Sequence, residues 1–106
     1  MITLTESDDG RAIEMRSGDA VQIRLPENAT TGYRWAIDSY DATLFEQPTE
    51  EARYASGAAV GSGGEMTFAF KAKAPGKGEI ALKNWRAWEG EAGVAKRFRI
   101  RVQIAK

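Results

Sequence analysis

Apolar residues recur at every second position within short runs of this chain. Because successive side chains of a strand point to opposite faces, a period of two predicts β-strands with one buried and one wet face, as in antiparallel sheets. The clearest runs are Val21-Ile23-Leu25, Tyr33-Trp35-Ile37, Met66-Phe68-Phe70, Ile80-Leu82 and Phe98-Ile100-Val102-Ile104. Shorter strands are expected near Ile2-Leu4, Ala12-Met15, Leu44-Phe45 and Arg53-Ala55.

Clusters of glycine, proline, asparagine and aspartate separate these runs and predict turns. They lie at 8–10, 17–19, 26–28, 57–64, 74–78 and 89–93. Residues 39–47 lack a sustained helical period and are expected to form one helical turn at most. The chain shows neither an internal repeat nor a linker. We therefore expect a single domain, residues 1–106, folded as an all-β, immunoglobulin-like β-sandwich of seven or eight mostly antiparallel strands.

Charge and composition argue against several classes of function. Fifteen basic residues balance fifteen acidic ones, which argues against a nucleic-acid binder because such proteins carry a basic excess. The sequence has no cysteine and no histidine, so it lacks thiolate chemistry, the commonest general base and the commonest zinc ligand. We expect no catalytic residue, no metal and no cofactor.

Location depends on how the chain begins. The segment 1–6 has neither the basic nor the apolar region of a signal peptide, and no apolar stretch approaches the roughly 20 residues that span a bilayer. We expect no membrane partner. The expected location is the cytoplasm if Met1 is the native start, and the periplasm or the medium if a leader was removed.

The segment Asn28-Ala29-Thr30-Thr31-Gly32 lies between two predicted strands. Threonine is unfavourable in a tight turn because its β-branch restricts χ1, so the Thr-Thr pair suggests a functional role for this segment. Glycine permits positive φ and the close approach of another backbone. Taken alone, the segment also fits an ordinary connection.

The segment 57–64 holds four glycines in eight residues. It can present backbone groups for strand-like pairing with a partner, or it can be a plain hairpin tip. A phosphate-binding loop is excluded, because no lysine-serine/threonine pair and no helix follow.

Trp85 and Trp88 lie three residues apart where a strand ends. They cannot both face the core of a regular strand, and an exposed tryptophan is a typical binding anchor. In the expected order, the three segments connect the second and third, fourth and fifth, and sixth and seventh strands. Alternate connections of such a sandwich gather at one end, so the three together predict a recognition surface.

In these segments the chain resembles the chagasin family of cysteine-protease inhibitors, as a bacterial-type member, over nearly its whole length. Residues 28–35 correspond to the family pattern Asn-Pro-Thr-Thr-Gly-aromatic-x-Trp, 61–64 to Gly-x-Gly-Gly, and 86–88 to Arg-Pro-Trp. The resemblance implies a reversible, non-covalent inhibitor of papain-like cysteine proteases (papain or cathepsin-L type) that blocks the active-site cleft with three loops. The implied protease-binding residues are Asn28, Ala29, Thr30, Thr31, Gly32, Val60, Gly61, Ser62, Gly63, Gly64, Arg86 and Trp88.

The resemblance also implies a role for each segment. The first loop would enter the cleft beside the catalytic cysteine and histidine, the second would lie along the substrate-binding side, and Trp88 would rest on the leaving-group side. Trp35 would then be core beneath the first loop, supported by Tyr33. Ala29 and Ala87 stand where the family has prolines, which limit unbound loop conformations, so high potency does not follow. We expect a monomer.

Two other functions stay open. An immunoglobulin-like binding or adhesion module for another protein or a glycan would use Tyr33, Trp85 and Trp88 as a stacking platform. An enzyme would depend on carboxylate pairs such as those at 8–9 and 50–51, which have the appearance of solvated turn charges.

Overall fold

The computed structural model describes residues 1–27, 32–54 and 64–106. Within these residues the chain forms eight strands and two short 3-10 segments. The strands are β1 (Ile2–Thr5), β2 (Ala12–Arg16), β3 (Ala20–Glu27), β4 (Arg34–Tyr40), β5 (Thr49–Tyr54), β6 (Gly64–Lys71), β7 (Gly76–Trp85) and β8 (Val94–Ala105). The 3-10 segments are η1 (Glu6–Asp8) and η2 (Ala87–Gly93).

The strands form two four-stranded sheets, in the orders β1-β3-β6-β5 and β2-β8-β7-β4. β1 pairs with β3, and β2 with β8, in parallel. The other four strand pairs are antiparallel. The prediction of an all-β sandwich with mostly antiparallel strands is confirmed. In the part of the chain that the structure describes, no helix is long and apolar enough to cross a membrane.

The core lies between the sheets and follows the alternation in the sequence. In β3 the side chains of Val21, Ile23 and Leu25 are fully buried. In β8 the apolar residues at every second position from Phe98 to Ile104 are buried, and the residues between them are exposed. Each such side chain contributes about 1.5–3 kcal/mol when it is fully buried. The fully buried large side chains are Phe45, Phe68, Phe70, Phe98, Leu4, Ile23, Leu25, Ile80, Leu82, Ile100 and Val21.

The segment around Leu44-Phe45 differs from the strand expected there. Asp41 forms a turn instead, because its Oδ1 accepts a hydrogen bond from the Thr43 backbone N–H at 2.9 Å and its carbonyl accepts one from Leu44 at 3.1 Å. Phe45 makes only an isolated bridge to Ala72. Leu44 and Phe45 are buried in the core nevertheless, so the apolar pair reports burial rather than a strand.

The strand ends that flank the three segments lie at one end of the sandwich. Glu27, the last residue of β3, pairs with Gly64, the first of β6, and Gly64 pairs with the end of β5. In the other sheet Arg34 begins β4 opposite Trp85, which ends β7. Because both β1 and β2 form, the segments connect the third and fourth, fifth and sixth, and seventh and eighth strands, one number higher than expected.

Candidate functional site

The two strands that flank the first segment are tied together by a buried carboxylate. Glu27 is 4% exposed, and its Oε1 accepts a hydrogen bond from the Trp35 backbone N–H at 2.8 Å. The Trp35 indole Nε1 donates to the Pro26 carbonyl at 2.9 Å. A buried polar group requires such partners. Trp35 itself is 4% exposed and lies in the core, as the resemblance implied.

Gly32, the last residue of the first segment, lies against Trp88 of the third. Its φ of +80° lies in the left-handed region, which side chains other than glycine rarely adopt. A Cβ added there would lie 2.7 Å from Cη2 of Trp88 and 3.8 Å from Nε of Arg86. The backbone conformation therefore favours glycine at this point, and a Cβ there would displace the exposed Trp88 ring.

The two tryptophans of the third segment differ in exposure. Trp88, on η2, is 73% exposed, whereas Trp85 at the end of β7 is half-buried. This agrees with the expectation that the two cannot both face the core. The Arg86 guanidinium lies 4.3 Å from the Tyr33 ring centroid and 3.7 Å from a Glu89 carboxylate oxygen. Tyr33 thus contacts the third segment.

Of the twelve predicted binding residues, the structure describes four. Gly32, Arg86 and Trp88 come together at one end of the sandwich, and Gly64 lies at the beginning of β6 on the same end. The other eight lie outside the described residues: Asn28, Ala29, Thr30, Thr31, Val60, Gly61, Ser62 and Gly63.

A group of charges beside this surface had no signal in the sequence. Lys83 Nζ donates to Glu91 Oε1 at 2.8 Å and lies 3.5 Å from Asp38 Oδ1. Arg97 contacts Glu91 at 3.0 Å and Asp38 at 3.3 Å. The hydrogen bonds from Lys83 and from Arg97 hold the pKa of Glu91 below its ordinary value, and the bond to Glu91 raises the pKa of Lys83. Asp38, Lys83 and Arg97 meet through the register of three strands, and η2 brings Glu91 to them.

The platform needed for sugar stacking is partly covered. Lys83 Nζ lies 3.6 Å from the Trp85 ring centroid, and Arg86 lies over Tyr33. One face of the Trp85 ring and one face of the Tyr33 ring are therefore each occupied by a cationic side chain of the protein itself. Trp88 alone of the three rings is largely exposed.

The carboxylates considered for catalysis make local structural contacts. Asp8 accepts hydrogen bonds from the Thr5 backbone and from Arg11, and Asp9 accepts one from the Arg99 backbone at 2.9 Å. The pair at 50–51 lies within β5 rather than in a turn, which corrects the expectation for it. Among the described residues no group of three or more acidic side chains is arranged to hold a metal ion.

Comparison with known proteins identifies the family. Residues 14–102 match the model of the chagasin family peptidase inhibitor I42. Chagasin of Trypanosoma cruzi is 29% identical, over 92% of each chain. The fold is similar to that of the cysteine protease inhibitor EhICP2 from Entamoeba histolytica, at 28% identity and a TM-score of 0.81, over 97% of this chain and 94% of that one. Amebosin is 30% identical with a TM-score of 0.73, over 97% and 96%. The chain thus belongs to the chagasin family of peptidase inhibitors, as its three motifs predicted.

Proposed function

We propose that this cysteine protease inhibitor blocks the active-site cleft of a papain-like enzyme, of papain or cathepsin-L type, with segments 28–32, 60–64 and 86–88. The contact between Gly32 and Trp88 carries the proposal. Because Gly32 of the first segment fits against Trp88 of the third, these two residues present one continuous surface. Gly64, the last residue of the second segment, pairs with Glu27 at the same end of the sandwich.

Trp88 is the anchor of the proposed surface. Among the described residues, Met1 and Trp88 are the large apolar side chains that stay exposed, and Met1 lies at the chain terminus. A tryptophan offers a large, rigid apolar area, and a tryptophan hot spot contributes about 2 kcal/mol or more to an interface. Arg86 and Glu89 flank it with opposite charges, as at the polar rim of an interface.

The mechanism we propose is occlusion without chemistry. Thr30 and Thr31 enter the cleft beside the catalytic residues of the enzyme, and the glycine-rich segment adds backbone hydrogen bonds. Such an inhibitor needs shape and fixed loops rather than acids, bases, metals or cofactors, which suits a sequence without cysteine and histidine. The protein acts as a single monomeric domain, residues 1–106, and is not an enzyme.

Titration of papain and of a cathepsin-L-type enzyme with the purified protein tests this proposal. We expect stoichiometric inhibition of the cleavage of a fluorogenic peptide, recovery of activity on dilution, and recovery of the intact chain from the complex. Lack of inhibition by micromolar protein across several papain-like enzymes would refute the proposal.

Trp88→Ala tests the assignment of the anchor. Loss of about 2 kcal/mol corresponds to an inhibition constant about 30-fold higher. The melting temperature should stay nearly unchanged, because 73% of the residue is exposed. Thr31→Ala should likewise weaken inhibition without unfolding the domain. If either variant unfolds, that residue belongs to the core and its assignment to the binding surface is wrong.

A further inference from the structure

The third segment continues to the end of η2, and residues 86–93 form two halves that separate at Gly90. The backbone of η2 is interrupted there, with a φ of +65° and a ψ of −154°. Trp88 lies in the first half and Glu91 in the second. The first half contacts Gly32 through Trp88 and Tyr33 through Arg86. The second half turns back toward the sheet.

Four charges join this second half to three strands. Glu91 Oε1 accepts a hydrogen bond from Lys83 of β7 at 2.8 Å, and its Oε2 accepts one from Arg97 of β8 at 3.0 Å. Asp38 of β4 lies 3.5 Å from Lys83 and 3.3 Å from Arg97. Each cation contacts both anions. We name Asp38, Lys83, Glu91 and Arg97 the charge ring.

The position of Lys83 makes these contacts necessary. Lys83 and Arg97 are directly opposite each other in the β7–β8 register, where like charges destabilise a sheet. Lys83 is also only 8% exposed, and a buried ammonium is costly without charged or hydrogen-bonded partners. Asp38 and Glu91 supply them. The lowered pKa of Glu91, caused by Lys83 and Arg97, agrees with a carboxylate that stays ionised at this position.

We propose that the charge ring fixes the third segment before binding, so that Trp88 is presented to the protease in one orientation. Glu91 is then a positioning residue for the anchor, and this inference rests on the proposed function. A loop that is already ordered loses less conformational freedom on association. The contacts of Trp88 with the protease therefore increase the affinity by more than they would if the segment had to become ordered on binding.

Glu91→Gln removes the charge while it keeps the size of the side chain. We expect inhibition of papain to weaken by about fivefold, mainly through faster dissociation. Glu46→Gln is the matched control, because Glu46 pairs with Lys71 at 3.8 Å at the opposite end of the sandwich. This control should inhibit as well as the unmodified protein. Unchanged inhibition by Glu91→Gln would overturn the proposal.

A double-mutant cycle separates positioning from a general structural effect. In a Trp88→Ala background Glu91→Gln should cause no further loss of inhibition, because the anchor it positions is gone. An equal fivefold loss in both backgrounds would show that Glu91 acts independently of Trp88, which contradicts the proposal.

Order in the unbound protein gives a readout that needs no protease. Backbone NMR order parameters of 87–93 should fall in Glu91→Gln and stay unchanged in Glu46→Gln. If they fall but no papain-like enzyme is inhibited, the charge ring still fixes the segment and the proposed function is what fails. If they do not fall, the positioning proposal is wrong even for a protein that inhibits.

Discussion

Replacement of Gly32 by alanine is the sharpest perturbation of the joint between the first and third segments. Two effects combine at this position. The φ of +80° is unfavourable for alanine, and the added Cβ would lie 2.7 Å from Cη2 of Trp88. That distance is well short of the ~3.5–4.0 Å at which carbon atoms make their best contact, so Trp88 has to move.

The two effects have different sizes and different readouts. A left-handed conformation costs a residue with a Cβ roughly 1–2 kcal/mol, which lowers the melting temperature of a domain of about this size by about 4–8 °C per kcal/mol. The contact adds little to this loss of stability, because the touching atom is the far end of an exposed side chain. Displacing the anchor should instead raise the inhibition constant by about tenfold or more.

Gly18→Ala is the matched control. Gly18 has a φ of +95°, and a Cβ there would meet nothing within 4 Å. It precedes β3 at the end of the sandwich opposite Gly32. We expect both variants to lose similar stability in thermal unfolding, and only Gly32→Ala to lose inhibition of papain.

If folded Gly32→Ala inhibits papain as well as the unmodified protein does, the contact with Trp88 is irrelevant to binding. If Gly18→Ala weakens inhibition to the same extent as Gly32→Ala, general destabilisation explains both results and no role of the contact is left.

The remaining predictions concern the buried carboxylate and the charge ring. Glu27→Ala should lower the free energy of unfolding, measured with urea, by about 1–3 kcal/mol, because the Trp35 backbone N–H loses its acceptor; unchanged stability would contradict the role of that bond. The stability contributed by Glu91 should be fully present above its ordinary pKa of 4.5 and lost as the pH falls through its lowered value. The difference in melting temperature between the unmodified protein and Glu91→Gln should therefore be constant from pH 7 to 5 and shrink at lower pH, as Glu91 becomes protonated. A difference that stays constant down to the acid unfolding of the protein would argue against the ring. The hydrogen bond to Glu91 raises the pKa of Lys83, so the contribution of Lys83 to the stability of the fold should not change between pH 7 and 9.

The strands were predictable because burial on one face imposes a period of two. The runs that end in Leu25, Phe70 and Ile104 all lie in strands, and their apolar residues are buried except for the half-buried Met66, which packs against the core. The expected strand at Leu44-Phe45 was wrong, because a side-chain turn at Asp41 competes with pairing. Apolar identity reports that a residue is buried but not which backbone conformation buries it.

The family and the inhibitory function were predictable from three ordered motifs. The contacts that position the residues of the proposed binding surface were not. The approach of Gly32 to Trp88 joins residues 56 positions apart. The charge ring depends on the pairing of Lys83 with Arg97, on a β-bulge after Ile37, and on the return of η2 over the sheet. Register and bulges are set by tertiary packing, so no local pattern announces such contacts.

The central claim is that this inhibitor occupies the active-site cleft. Titration of papain whose catalytic cysteine carries a covalent peptidyl inhibitor tests it most directly, with unmodified papain measured in parallel by calorimetry. We expect one-to-one binding to unmodified papain and a large loss of affinity for the blocked enzyme. Equal affinity for both forms would show that the protein binds outside the cleft and would contradict this account.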